Sequence, residues 1–128
     1  MFQIKSDSKG SYLYRKSNPV VTLDYMIETI DYFDKGDKLP QNLRILEDSR
    51  DISIKFSIQE IPAILKKASK VAEKYQLVKH AIIYNSPVYT AFGLLAENLI
   101  SNKSYYIKAF SSITAAREWL EIDSSSSI

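Results

Sequence analysis

The residues of this chain whose types suit them to act together on a ligand follow its apolar runs. Asp48 and Arg50 come after one run, Asn85 and Ser86 after the next, and Ser111 and Ser112 after the last. Ser57 and Tyr89 sit at or just inside the starts of helical stretches. A carboxylate, a guanidinium, an amide and several hydroxyls suit hydrogen bonding to a small charged ligand, and the free amides of a helix N-terminus favour an anion. The same residues have a plainer use. Serines cap helices whether or not a ligand exists, while Asp48 and Arg50 can pair with each other or with backbone. Both readings stay open on sequence.

Catalysis finds little to work with. Three glycines, Gly10, Gly36 and Gly93, leave no phosphate-cradling loop and no dinucleotide fingerprint. One histidine and no cysteine exclude disulfides and thiol nucleophiles, and leave a transition-metal site to rest almost entirely on carboxylates. His80 opens an apolar strand that Ser86 follows at its far end, about 20 Å away at roughly 3.3 Å per residue, too far for a base and its nucleophile. His80 therefore reads as a half-buried strand-end residue. No pair of carboxylates is placed by sequence to shift its pKa, so general acid–base catalysis has no candidate. The expectation is a protein that is not an enzyme and carries neither cofactor nor metal.

Composition sets the frame. At 128 residues, 45% hydrophobic and 25% charged, with nine Tyr, five Phe and one Trp, the chain has the size and apolar area of one self-sufficient domain. A net charge of +2 falls well short of the clustered basicity of a nucleic-acid binder, so no nucleic-acid partner is expected. Lys66, Lys67, Lys70 and Lys74 share one helical stretch; they read as a phosphate- or lipid-facing stripe or as the solvated back of an amphipathic helix, and charge runs usually only solvate a face. Met1-Phe2-Gln3-Ile4-Lys5-Ser6-Asp7 contains no signal-peptide core. The longest uncharged stretch, residues 80–96, is broken at Asn85-Ser86-Pro87 and shorter than the roughly 20 residues of a membrane span. A cytoplasmic protein without an integral membrane segment is expected.

The elements follow from periodicity and punctuation. Residues 2–5 and 12–16 flank a polar turn ending in Gly10 and predict an antiparallel hairpin. Thr22 caps a helix with Leu23, Met26, Ile27, Ile30 and Phe33 on one face, ended by Gly36. A loop over 35–42 leads to a strand over 43–46. Ser57-Ile58-Gln59-Glu60 fits a capping box before an apolar stripe of Ile58, Ile61, Leu65, Ala68, Ala72 and Tyr75, and Pro62 predicts a kink or a late start there. Residues 78–84 are apolar on both faces, as in a central parallel strand covered by helices on both sides. Ser86-Pro87 begins a helix with Val88, Ala91, Phe92, Leu95 and Leu99 on its buried face, where Gly93 implies close packing on the sheet. Asn102-Lys103 breaks the pattern. A strand over 105–110, a cap at Ser112 and a helix over 113–122 anchored by Ala116, Trp119 and Leu120 complete the domain. Residues 123–128, rich in serine, form a flexible tail.

The order is ββαβαβαβα in one domain, residues 1–122. It implies an α/β fold: a mixed, mostly parallel five-stranded sheet with helices on both faces and the hairpin as antiparallel edge. Ligands of open parallel sheets bind outside the carboxyl ends of the strands, the rim where Asp48, Arg50, Asn85 and Ser86 fall.

That order, with Thr22-Leu23-Asp24 opening the first helix, Glu47-Asp48-Ser49-Arg50-Asp51 after the third strand and Asn85-Ser86-Pro87 after the fourth, resembles the SpoIIAA-like family. This family groups with STAS and Sec14-type lipid-binding domains. The closing helix Ile113-Thr114-Ala115-Ala116-Arg117-Glu118-Trp119-Leu120 is the most telling match, and the likeness runs from about Phe2 to Leu120. The resemblance implies a small regulatory or ligand-sensing module, bacterial and non-catalytic. STAS-type anti-sigma-factor antagonists carry an Asp-Ser-Ser-Gly run at the second helix, one serine of which is phosphorylated. Here Lys55-Phe56-Ser57-Ile58 stands in that place, without the acidic neighbour or the glycine, so Ser57 reads as a cap. The chain also lacks the length for the extra helical segments that gate a lipid cavity in Sec14-type proteins.

Two functions of different class remain. One is a regulatory module working by contact with another protein or a second copy of itself, a homodimer, or by sensing a small anion at the rim. The alternative is a small-ligand or lipid carrier with an internal apolar pocket. A carrier requires a cavity well above the size of a water; an interaction module requires an exposed apolar patch or a symmetric face.

Overall fold

The computed structural model describes residues 1–36, 38–100 and 104–123. The expected break at Asn102-Lys103 and the serine tail beyond Asp123 lie outside them. β1 (Gln3–Asp7) and β2 (Gly10–Lys16) form the expected antiparallel hairpin, and Gly10 turns the chain at φ 119°, a value that side chains disfavour. Asp7 locks the end of this hairpin. Its carboxylate accepts from Arg44 Nη2 at 2.7 Å and Nη1 at 3.0 Å, from the Asp123 amide at 3.0 Å and from the Lys9 amide at 3.0 Å. The Arg44 hydrogen bonds above all hold that carboxyl far below the usual carboxylate range.

From there the chain alternates strand and helix. β3 (Val20–Val21) and α1 (Leu23–Lys35) precede β4 (Asn42–Asp48); β5 (Ser53–Ile54) and a single 3₁₀ turn at Ile58–Glu60 precede α2 (Ile61–Ala72). β6 (Leu77–Ile83), α3 (Pro87–Leu99), β7 (Tyr105–Phe110) and α4 (Ile113–Trp119) follow. The main sheet runs β1-β2-β4-β6-β7, every pair after the first parallel, so the mixed, mostly parallel sheet stands as expected. β6 is an interior strand between β4 and β7, and β4 occupies the middle. β3 and β5 form an additional two-stranded parallel ribbon, held by Ser53 N to Pro19 O at 2.7 Å and Lys55 N to Val21 O at 2.8 Å. Two-residue strands have no periodicity to read, so this ribbon had no sequence signal.

Capping went largely as the residue types dictate. Thr22 and Ser112 accept from the amides of Tyr25 and Ala115. Ser57 instead takes the Gln59 amide at 3.2 Å and caps the 3₁₀ turn, and Pro62 sits in the first turn of α2, where its missing donor is one of the orphans anyway. A helix boundary thus replaces the expected kink.

The two sheet faces are covered unequally. Leu13, Leu43, Ile45, Val78 and Tyr105 pack with Ala72 and Tyr75 on the face shared with α1 and α2, joined by Ile30, Ile64 and Val71 between those helices. Tyr12, Leu46, Ala81 and Ile83 on the opposite face pack against Ala116, Leu120 and Ile122, with α4 as its helix. Lys66, Lys67 and Lys70 of α2 and Lys74 just after it are exposed, and Lys67 and Lys74 pair with Asp31 and Asp34 of α1. No helix among the described residues is long and apolar enough to cross a membrane.

α3 departs from its expected orientation. Val88, Ala91 and Leu99 are exposed, Phe92 and Leu95 are half-buried, and Gly93 is its buried residue. Nearly every side chain from 88 to 96 is apolar, so periodicity could not choose a face; the glycine does. A Cβ at position 93 would stand 2.8 Å from Ala109 Cβ and 3.1 Å from the Tyr84 ring. Gly93→Ala gains about 1 kcal/mol of helix propensity, yet it should lower stability by about 1–2 kcal/mol in urea unfolding, because α3 must lift off β7. A stabilised variant would show that the helix is not seated this way.

Candidate functional site

Strand pairing brings three polar residues together inside the protein. Arg15 lies directly opposite Glu47 in the β2–β4 pairing, and His80 lies opposite Ile45, diagonal to Glu47 across β4 and β6. Alternation along each strand then turns all three to the inward face, in phase with Leu13, with Leu43 and Ile45, and with Val78 and Ile82.

Glu47 is 6% exposed. It accepts from Arg15 Nε at 2.6 Å, Ser17 Oγ at 3.0 Å and His80 Nε2 at 2.8 Å. Burial opposes its charge most strongly, but the Arg15 guanidinium, the His80 hydrogen bond and lesser contributions together outweigh burial and hold its pKa down at about 2. The group is therefore a carboxylate, which only accepts hydrogen bonds. His80 must donate through Nε2, and the tautomer that does so keeps the Nδ1 lone pair open.

The rest of the cluster fixes Arg15. Its Nη2 donates to Thr29 Oγ1 at 2.9 Å, and its guanidinium carbon lies 4.3 Å from the Phe2 ring centre and 4.5 Å from that of Tyr25. Thr29 Oγ1 in turn donates a hydrogen bond to Tyr25 O at 2.8 Å, and Ser17 Oγ meets Ser49 Oγ at 2.7 Å.

This cluster forms one end of a cavity of about 140 Å³ between the sheet and α1, α2 and α3. Its walls are mostly apolar: Met26, Ile30 and Phe33 from α1, Ile64, Leu65 and Ala68 from α2, Phe92 and Ala96 from α3, and Ile52 and Ile54 from the segment after β4. Tyr84 and Tyr105 also line it, 8% and 6% exposed, and burial followed by the Glu47 charge pushes both phenols above their ordinary pKa. No group of three His, Asp or Glu side chains able to hold a metal occurs among the described residues.

The rim residues singled out in the sequence lie elsewhere and engage one another. Arg50 grips Asp48 through Nε at 2.9 Å and Nη2 at 2.7 Å. Asn85 bridges to Asp51, accepting from its amide at 3.0 Å and donating to its carboxylate at 2.7 Å. Tyr89 Oη accepts from the Ile54 amide at 3.2 Å. Ser86 is the N-cap residue of α3, and Ser57 caps the 3₁₀ turn on the way into α2.

Sequence reasoning missed Arg15, Glu47 and His80 as a unit. It ended the third strand at Leu46; carried one residue further, the Leu43, Ile45 alternation points Glu47 inward. His80, expected at a strand end, sits in the middle of β6. A charged or titratable residue in phase with buried neighbours on three strands was the available signal, though only pairing shows that the three meet.

No family model matches this sequence, and no curated protein matches it. Among solved structures it is similar to an uncharacterized protein of the DUF3478 family from Shewanella loihica PV-4, described as having a SpoIIAA-like fold. That structure superposes with a TM-score of 0.61 at 20% identity, over 94% of this chain and 92% of the other. The chain has a SpoIIAA-like fold.

Two consequences follow for stability. The pKa of Glu47 is lower in the folded protein than its ordinary 4.5, so its contribution is complete above about pH 4.5 and disappears as pH falls towards 2. Acid titration of urea stability should lose on the order of 3 kcal/mol across that window, and Glu47→Gln should flatten the curve there. Arg15→Met strands a buried carboxylate and should cost about 3–5 kcal/mol. Arg15→Met with Glu47→Leu removes that charge and should cost less than Arg15→Met alone; equal or larger loss would contradict the electrostatic account.

Proposed function

We propose that this chain binds a small, largely apolar molecule in the cavity and serves as its carrier or sensor, without doing chemistry on it. The observation that carries this reading is the cavity. Its volume of about 140 Å³ is several times the roughly 30 Å³ share of one water, and a dry apolar cavity of about 150 Å³ accommodates a benzene. It is also below the roughly 300–1,000 Å³ of pockets that take drug-sized ligands. The fitting occupant is one ring or a short branched chain, not a two-chain lipid.

The rim residues have a part in this reading. Tyr89 and Asn85 hold down the segment carrying Ile52 and Ile54, which wall the cavity, while Asp48 and Arg50 fasten its start. A regulatory role joins on through α3. This helix walls the cavity with Phe92 and Ala96 and exposes Val88, Leu94 and Leu99 on its outer side, so a protein partner docking there would sense whether the cavity is filled.

Thermal unfolding with benzene, toluene and indole tests the proposal. A probe at ten times its Kd stabilises the folded state by about 1.4 kcal/mol, a Tm rise of a few degrees. Ala96→Phe, which fills the cavity, should remove the rise. If none of these probes moves the Tm of the unsubstituted chain, the proposal fails.

A further inference from the structure

The polar end of the cavity specifies more than an apolar occupant. We infer that the ligand carries a neutral hydroxyl on its apolar body, as in a phenol or a small alcohol, which donates to His80 Nδ1 and accepts from Tyr84 or Tyr105. This rests on the reading that the cavity is a ligand site.

Charge comes first. Arg15 and Glu47 neutralise one another at 2.6 Å, and His80 is already the donor to Glu47. The ion pair therefore has no net charge to offer an ion, and an unpaired ion inside costs far more than a hydrogen-bonded neutral group. A ligand carboxylate would also face the Glu47 carboxylate.

Hydrogen-bonding capacity comes next. His80 bonds through Nε2, and its Nδ1 has no partner among the described residues. The Tyr84 and Tyr105 hydroxyls have none either, although both residues are more than nine-tenths buried. No side-chain oxygen or nitrogen among the described residues is both walled off and without a partner, so these hydroxyls keep some accessible surface, and both tyrosines line the cavity. The cavity thus presents one acceptor lacking a donor and two hydroxyls lacking any partner. A single ligand hydroxyl, both donor and acceptor, answers the imidazole and one phenol together, and a ring of cresol size occupies the apolar remainder.

Titration calorimetry of the full chain at pH 7.5 with p-cresol, toluene and p-toluate tests this. We expect p-cresol to bind at least tenfold more tightly than toluene, and p-toluate not to bind at concentrations that saturate with p-cresol. The double variant Tyr84→Phe/Tyr105→Phe should lose most of that tenfold preference. It should keep its toluene affinity and unfold at the same urea concentration or higher, because the hydroxyls removed have no partner in the protein. Equal binding of toluene and p-cresol would overturn the hydroxyl assignment and leave the apolar cavity as a ligand site. Preferred binding of p-toluate would overturn it in favour of an anion. A double variant that keeps the preference, or loses stability, would show that the tyrosines serve the fold. Failure of all three probes would remove the ligand site itself and this inference with it.

Discussion

Glu47 is an ionised carboxylate in the interior of the protein, and most of the polar architecture is arranged around keeping it so. A buried charge without a counter-charge and a full set of hydrogen bonds would cost several kcal/mol. Arg15 from β2, Ser17 beyond it and His80 from β6 meet that requirement from the two strands flanking β4. The requirement also fixes register. Sliding β2 or β6 by one residue against β4 would turn Arg15 or His80 to the opposite face and leave Glu47 uncompensated. Hydrophobic residues of similar volume commonly stabilise a core as well as a buried ion pair does. Retaining this cluster beside a cavity is thus understandable where it does something else, and orienting a ligand is such a task.

The uneven coverage of the sheet explains why a cavity lies beneath α1, α2 and α3. On the α4 face, large side chains from the strands, Tyr12, Leu46 and Ile83, close directly onto Ala116 and Leu120. On the other face, three helices must span a sheet whose inward residues Ser17, Glu47, Ser49 and His80 are polar and short of apolar bulk. α1 and α2 are joined by their own apolar cluster. α3 approaches through Gly93, and its small contact residues, Gly93 and Ala96, bring the backbone close without filling the space beneath. The helix that completes the cavity has Gly93 as its buried residue.

The element order was legible because local chemistry marks it. Thr22, Ser57, Pro87 and Ser112 announce helix starts, and apolar runs of strand length stand between them. The orientation of α3 was not legible, since an almost uniformly apolar segment has no stripe for periodicity to find. The β3–β5 ribbon was not legible either, for it consists of backbone pairing between segments more than thirty residues apart. At the rim, the pairing of Asp48 with Arg50 was one of the two readings open on sequence. The cavity that the second function considered from the sequence requires is present, and so is the exposed apolar patch that the first requires, on α3.

Residue order alone determined the helices, the strands of the main sheet, the antiparallel opening and the lack of a cysteine or a glycine-rich loop, because each depends on residue types or on neighbours within a few positions. Tertiary structure alone decided that Arg15, Glu47 and His80 meet, that Tyr84 and Tyr105 line one space, and that the surrounding side chains leave that space between them. Those are properties of distance between strands and helices, and a carboxylate at a strand end looks the same in sequence whether it faces water or an arginine.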